Sequence, residues 1–122
     1  MSEKVLIIED EENITKLLKV YLIHAGFTVD NAFDGEKGLE KIDSFKPNIV
    51  ISDIRMPKVD GWKICEKLKT EEKYKNIFVI ILTAYDQENT REKAKAIGVN
   101  AYFSKTVEIK VLIEKIREII QQ

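Results

Sequence analysis

A single α/β domain, with a parallel sheet covered by helices on both faces, is the fold that this sequence predicts. Three observations carry it. Short apolar runs of strand length alternate with longer amphipathic stretches along the whole chain. The runs are apolar at nearly every position and rich in β-branched residues, as strands buried on both faces are. Gly, Pro and Asp-Gly mark the boundaries between segments. No internal repeat, linker or low-complexity stretch divides the chain, and 122 residues suit one core.

Val5 to Ile8 reads as the first strand, and Glu12 to Ala25 as a helix with Ile14, Leu17, Leu18, Tyr21 and Leu22 on one face. Gly26 closes that helix, with Phe27 packing back. Thr28 to Ala32 is a second strand. Asp34-Gly35 supplies turn chemistry before a helix from Glu36 to Phe45, whose Leu39, Ile42 and Phe45 point inward. Pro47 ends it and launches the central strand, Ile49 to Ser52. Beyond a loop turned by Pro57 and Gly61, Gly61 to Thr70 forms a helix that buries Ile64, Cys65 and Leu68. Phe78 to Leu82 is the fourth strand, followed by a helix from Gln87 to Ile97 with a thin apolar face. Ala101 to Phe103 is a short fifth strand. Val107 to Ile120 is the last helix, striped by Ile109, Leu112, Ile113, Ile116 and Ile120.

Composition excludes several classes. The net charge of -1 provides no basic field for nucleic acid, and no basic stripe with interleaved aromatics occurs. The longest apolar run, Ile77 to Leu82, is far short of a membrane span. The N-terminus lacks signal-peptide architecture, and one cysteine suits a reducing compartment, so a soluble cytoplasmic domain is expected. Without a second thiol or a neighbouring His, Cys65 reads as a small core residue. His24, the single histidine, reads as an exposed residue near a helix C-terminus.

Four strand ends each present a polar group: Glu9-Asp10-Glu11-Glu12, Asp53, Thr83 and Lys105. Parallel sheets bind ligands beyond these carboxyl ends, where strand order reverses. Clustered carboxylates from two strand ends, Asp10 and Asp53 with Glu9 beside them, require a cation or raised pKa values. Hard oxygen donors with room for water suit Mg²⁺. Glu11 and Glu12 read as solvated acids at a helix N-terminus. Thr83 and Lys105 together supply a hydroxyl donor and a cation, which a phosphoryl group on Asp53 requires.

Glu9-Asp10-Glu11, Ser52-Asp53-Ile54-Arg55-Met56-Pro57, Leu82-Thr83-Ala84 and Ser104-Lys105 occur in one order across the chain. They resemble the motifs of bacterial two-component response regulator receiver domains, in particular single-domain regulators of the chemotaxis type. The resemblance implies a flavodoxin-like (βα)5 fold with strand order 2-1-3-4-5, forming one receiver domain over residues 1–122 with no output domain in the chain. It implies that Asp53 accepts a phosphoryl group from a sensor histidine kinase. Mg²⁺, with Mn²⁺ as a substitute, would be held by Asp10, Asp53 and the backbone carbonyl of Arg55, with Glu9 acting through water. Lys105 would pair with the phosphoryl oxygens, Thr83 would move to bond them, and Tyr102 would turn inward as the switch aromatic. Such a chain switches the binding of a downstream protein and turns over no diffusible substrate. Kinase specificity would lie on the first helix, with Asn13, Thr15, Lys16 and Lys19 as exposed candidates.

The sequence departs from that pattern in places. Thr106 follows Lys105 where most receivers carry a proline, often cis; a cis bond before a non-proline residue costs roughly 2.5–4 kcal/mol, so trans is expected. Arg55 and Tyr85 flank the phosphoryl position, and a bulky Tyr85 is expected to slow hydrolysis. Asn100-Ala101 precede Tyr102 in place of acidic residues that accompany dimerisation, so a monomer is expected, with a phosphorylation-dependent dimer as the alternative. Three other readings compete. A docking module without phosphorylation would share the fold. A small phosphatase with an Asp nucleophile would favour a second Asp where Arg55 stands. A flavin carrier would need a Ser-, Thr- and Gly-rich first loop, where this chain is acidic.

Overall fold

The computed structural model describes residues 3–56 and 58–121, so Pro57 and the expected turn at it lie outside the described residues. Five strands and five helices alternate: β1 (Lys4–Ile8), α1 (Glu12–His24), β2 (Thr28–Ala32), α2 (Gly35–Phe45), β3 (Ile49–Ser52), α3 (Gly61–Thr70), β4 (Phe78–Thr83), α4 (Glu88–Ile97), β5 (Ala101–Ser104) and α5 (Ile109–Ile120). A 3-10 turn, Glu72–Tyr74, joins α3 to β4. The strands pair in parallel in the order β2-β1-β3-β4-β5, as expected. Strand order reverses at β1, whose neighbours are β2 and β3.

The alternation of side chains along each strand divides the core in two. Val5, Ile7, Ile49, Ile51, Ile80 and Leu82 face α1 and α5, where Leu18, Leu22, Leu112, Ile116 and Ile119 meet them. Leu6, Ile8, Val50, Val79 and Ile81 face the other way, onto Ile42 of α2, Ile64, Cys65 and Leu68 of α3, and Ala94 of α4. Both faces are covered, which explains the unbroken apolar runs at residues 5–8 in β1 and 49–51 in β3. Among the described residues no helix is long and apolar enough to cross a membrane.

Helix ends follow local chemistry. At the end of α1 the Phe27 amide donates to Leu22 and the Gly26 amide to Ile23, with Gly26 at φ +99°, a Schellman motif that a Cβ would strain. Asp34 caps α2 by accepting from the Lys37 amide (2.8 Å), and Asp60 caps α3 by accepting from Trp62 (2.8 Å). Gly61 is needed for space: a Cβ there would run into the Asp53 carbonyl, so α3 begins directly beneath the β3 exit.

Some expectations required correction. Of the apolar face assigned to α1, Leu18 and Leu22 are buried, whereas Leu17 and Tyr21 are about half exposed. Thr15, expected at the surface, is buried, and its hydroxyl has no partner. In α5, Ile119 is buried and Ile120 only partly, and the helix starts at Ile109. His24 is exposed in the last turn of α1, as expected.

Candidate functional site

The carboxyl ends of β1, β3, β4 and β5 converge on one pocket. Parallel pairing brings Ile8 beside Ser52 and Ser52 beside Ile81, so the residues that follow share one rim. The Asp53 amide donates to the Ile8 carbonyl (3.1 Å), extending the ladder one step beyond β3 and fixing the backbone of this residue. Asp53 itself is only 4% exposed. Its Oδ1 accepts from the Ile54 amide at 2.7 Å, and its Oδ2 from Lys105 Nζ at 2.9 Å. Ser52 Oγ donates to the Asp53 carbonyl (2.8 Å).

Glu9 is anchored in the same way. Its amide donates to Ala32, its Oε1 accepts from Lys105 Nζ at 2.8 Å, and its Oε2 accepts from the Glu11 amide at 3.0 Å. Burial raises the Glu9 pKa to about 7, against the opposing pull of Lys105 and the Glu11 amide. Asp10 is exposed beside it. One carboxylate oxygen each from Glu9, Asp10 and Asp53 lie within 4.8 Å of one another, a hard-donor set that fits a small divalent cation such as Mg²⁺.

Lys105 reaches this cluster from β5. Its amide donates to the Thr83 carbonyl (2.9 Å), holding the β5 exit against β4. The bond to Thr106 is trans, as expected. Burial works against the ammonium, but the bonds from Glu9, Glu11 and Asp53 outweigh it and hold Lys105 above the ordinary lysine range. Thr83 is fully buried, and its hydroxyl accepts from the Tyr85 amide at 3.0 Å. Tyr102 is partly buried, its hydroxyl donating to the Tyr85 carbonyl at 3.4 Å.

The structure therefore brings Glu9, Asp53 and Lys105 together with Asp10 beside them. Thr83 lies at the adjoining β4 end and Tyr102 is bonded to the Tyr85 carbonyl, while Cys65 and His24 lie elsewhere. Two features were missed. Glu11, read as a solvated acid, places Oε1 2.9 Å from Lys105 Nζ. The other is the Arg55 side chain, whose guanidinium lies 3.9 Å from the centre of the Tyr85 ring. The sequence placed both residues beside the phosphoryl position without this contact.

The architecture is a flavodoxin-like fold with an acidic, lysine-bridged pocket at its switch point. The chain belongs to the response regulator receiver domain family of two-component systems, whose model matches residues 5–117. It is 31% identical, over its full length, to the alkaline phosphatase synthesis transcriptional regulatory protein PhoP of Bacillus subtilis, of which it covers 50%. It is 30% identical over 98% of its length to the response regulator ArlR of Staphylococcus aureus, of which it covers 53%. The chain thus spans about half the length of these relatives. Among solved structures, a CheY-like response regulator receiver domain protein from Methanospirillum hungatei JF-1 superposes with a TM-score of 0.91 at 27% identity, covering 99% of this chain and 95% of that one. The BeF3-activated receiver domain of Klebsiella pneumoniae RstA gives a TM-score of 0.91 at 26% identity, covering 98% and 100%. Phosphorylation and Mg²⁺ binding are general features of this family, and its members are generally not turnover enzymes.

Proposed function

We propose that residues 1–122 act as one receiver unit in which Asp53 accepts a phosphoryl group from the phosphohistidine of a sensor kinase. The supporting observation is the Asp53–Lys105 contact at 2.9 Å in a pocket that holds two further carboxylates. A carboxylate oxygen of Asp53 attacks phosphorus, a P–O bond forms, and the P–N bond breaks with its electron pair leaving to the imidazole nitrogen. Asp10, Asp53 and the Arg55 carbonyl, with Glu9 through water, would hold Mg²⁺ (or Mn²⁺), which when bound neutralises charge on the phosphoryl oxygens.

The chain's own groups do the rest. The Ile54 amide orients the Asp53 carboxylate. Lys105 supplies a buried cation to the phosphoryl oxygens. The Thr83 hydroxyl, which now accepts from the Tyr85 amide, has its proton free to donate to the phosphoryl group after a small movement. That movement pulls on the segment carrying the Tyr85 carbonyl, the acceptor for Tyr102, and so couples the pocket to the Tyr102 side of the molecule. Arg55 and Tyr85, two residues beyond Asp53 and Thr83, stack at 3.9 Å, and in this reading the bulk of Tyr85 restricts attacking water.

The kinase approaches over α1. Leu17, Val20 and Tyr21 are exposed there, and a groove of about 110 Å³ lined by Ile14, Leu17, Val107 and Ile109 reaches Lys105. Asn13 and Lys16 remain exposed and can contribute specificity, whereas Thr15 is buried and Lys19 is half-buried with its ammonium donating to Asn31 Oδ1. The unit works in the cytoplasm as a monomer, binds a downstream protein when phosphorylated, turns over no diffusible substrate and contacts neither nucleic acid nor membrane directly. Incubation with Mg²⁺ and acetyl phosphate should add one phosphoryl mass to the wild type and none to Asp53→Asn. A folded wild type that gains no mass from acetyl phosphate or a kinase would favour the docking-module reading.

A further inference from the structure

Lys105 Nζ has three N–H donors and meets three carboxylates: Glu9 at 2.8 Å, Glu11 at 2.9 Å and Asp53 at 2.9 Å. All three donors are committed, so a phosphoryl oxygen can be bonded only when one carboxylate lets go. The side chains of Glu9 and Asp53 are 3% and 4% exposed, and losing the lysine would leave either charge buried and poorly compensated. The Glu11 side chain is 57% exposed and can return to water by rotation alone. Its backbone stays fixed, because its amide is held by Glu9 Oε2 at 3.0 Å.

Two simpler roles for Glu11 do not fit. It stands at the N-cap position of α1, yet its side chain makes no capping hydrogen bond. It is also outside the set of carboxylates placed to share a cation, which contains Glu9, Asp10 and Asp53. Its side-chain partner is Lys105, 94 residues away.

We propose that Glu11 is a positioning residue for phosphorylation: a releasable latch that holds Lys105 in the resting state and competes with the incoming phosphoryl group for it. Glu11 sets how strongly the pocket resists phosphoryl or phosphoryl-like anions, and it swings outward when one binds. Like-charge repulsion from a group that brings about -1.5 to -2 charges favours that swing. The inference rests on the phosphoacceptor reading above.

The test is titration of the whole chain with beryllofluoride, a phosphoryl analogue, in saturating Mg²⁺. Wild type, Glu11→Gln, Glu11→Asp and the neighbouring control Glu12→Gln are compared. Glu11→Gln keeps the reach and removes the charge; Glu11→Asp keeps the charge and shortens the reach. Both are expected to bind about two- to fivefold more tightly than wild type, the span for a largely exposed ion pair, with Glu12→Gln unchanged. The ¹⁵Nζ resonance of Lys105, read without beryllofluoride, should shift in both Glu11 variants and not in the control, a signature that a merely structural role would not produce. Unchanged affinities overturn the latch. Tighter binding by Glu11→Gln alone, with Glu11→Asp equal to wild type, also overturns it, because charge without contact would then suffice. No binding by folded wild type would instead remove the phosphoacceptor reading on which the latch depends.

Discussion

Tyr85 and Arg55, two residues beyond Thr83 and Asp53, stack at 3.9 Å, and the proposed function gives Tyr85 a role in how long a phosphoryl group would last. Tyr85→Ala should hasten loss of phosphate from the phosphorylated protein by roughly fivefold, the scale of one cation–π contact of about 1 kcal/mol. Dephosphorylation followed by intact mass would show this, and an unchanged or slower rate would contradict it. Glu9 makes a pH-dependent prediction. Its folded pKa, about 7, lies above the ordinary value of 4.5, so the folded state holds this proton more tightly than the unfolded chain does. Its contribution to metal-free stability is therefore complete below about pH 4.5 and is lost as the pH rises through about 7. The melting temperature of wild type relative to Glu9→Gln, in chelator, should fall across that window; a flat difference would refute the assignment. Mg²⁺ competes with the same proton, so its binding should tighten as the pH rises over the same range. At this scale Asp53, Asp10, Thr83 and Lys105 were legible because each follows an apolar strand. The Glu11–Lys105 pair was not, since a contact across 94 residues leaves no local pattern.

The helices differ in how firmly they are held. Between Glu88 and Ile97 only Ala94 is buried, whereas α5 buries Leu112, Ile116 and Ile119. Backbone amides in α4 should exchange with deuterium well before those in the middle of α5, as the proposed rearrangement of Thr83 and Tyr102 requires of a movable neighbour. Equal protection in the two helices would argue against α4 as the movable part. The existence and order of all the helices could be read from apolar spacing, and the weak face of α4 with them. Which apolar residues end up covered could not. Leu17 and Tyr21 sit on the same stripe as Leu18 and Leu22, but α1 shares its face of the sheet with α5, and the contact extends only to the inner edge of the stripe. The choice of Ile119 over Ile120 likewise depends on where α5 lies against β1 and β3, which periodicity does not encode.

At the scale of the whole molecule, two cores on opposite faces of one sheet hold four strand ends in register. Leu112→Ala, in the α1–α5 core, should cost about 2–5 kcal/mol, measurable by urea unfolding, while leaving the acceptor chemistry intact in the folded fraction. A loss below about 1 kcal/mol would mean that this side of the sheet is less tightly packed than its full burial indicates. The parallel sheet followed from strand–helix alternation, but the order of strands did not, because alternation is compatible with several windings; the order came from motif resemblance and is what the structure has. That order puts Glu9, Asp10 and Asp53 on adjacent strand ends. Chemical trapping of the modified group tests whether Asp53 is the acceptor. After phosphorylation with acetyl phosphate and Mg²⁺, borohydride should reduce an acyl phosphate at Asp53 to a homoserine side chain, located by peptide mass mapping. Reduction at position 53 alone is the predicted result; a phosphorylated protein reduced at another position, or not at all, would contradict it.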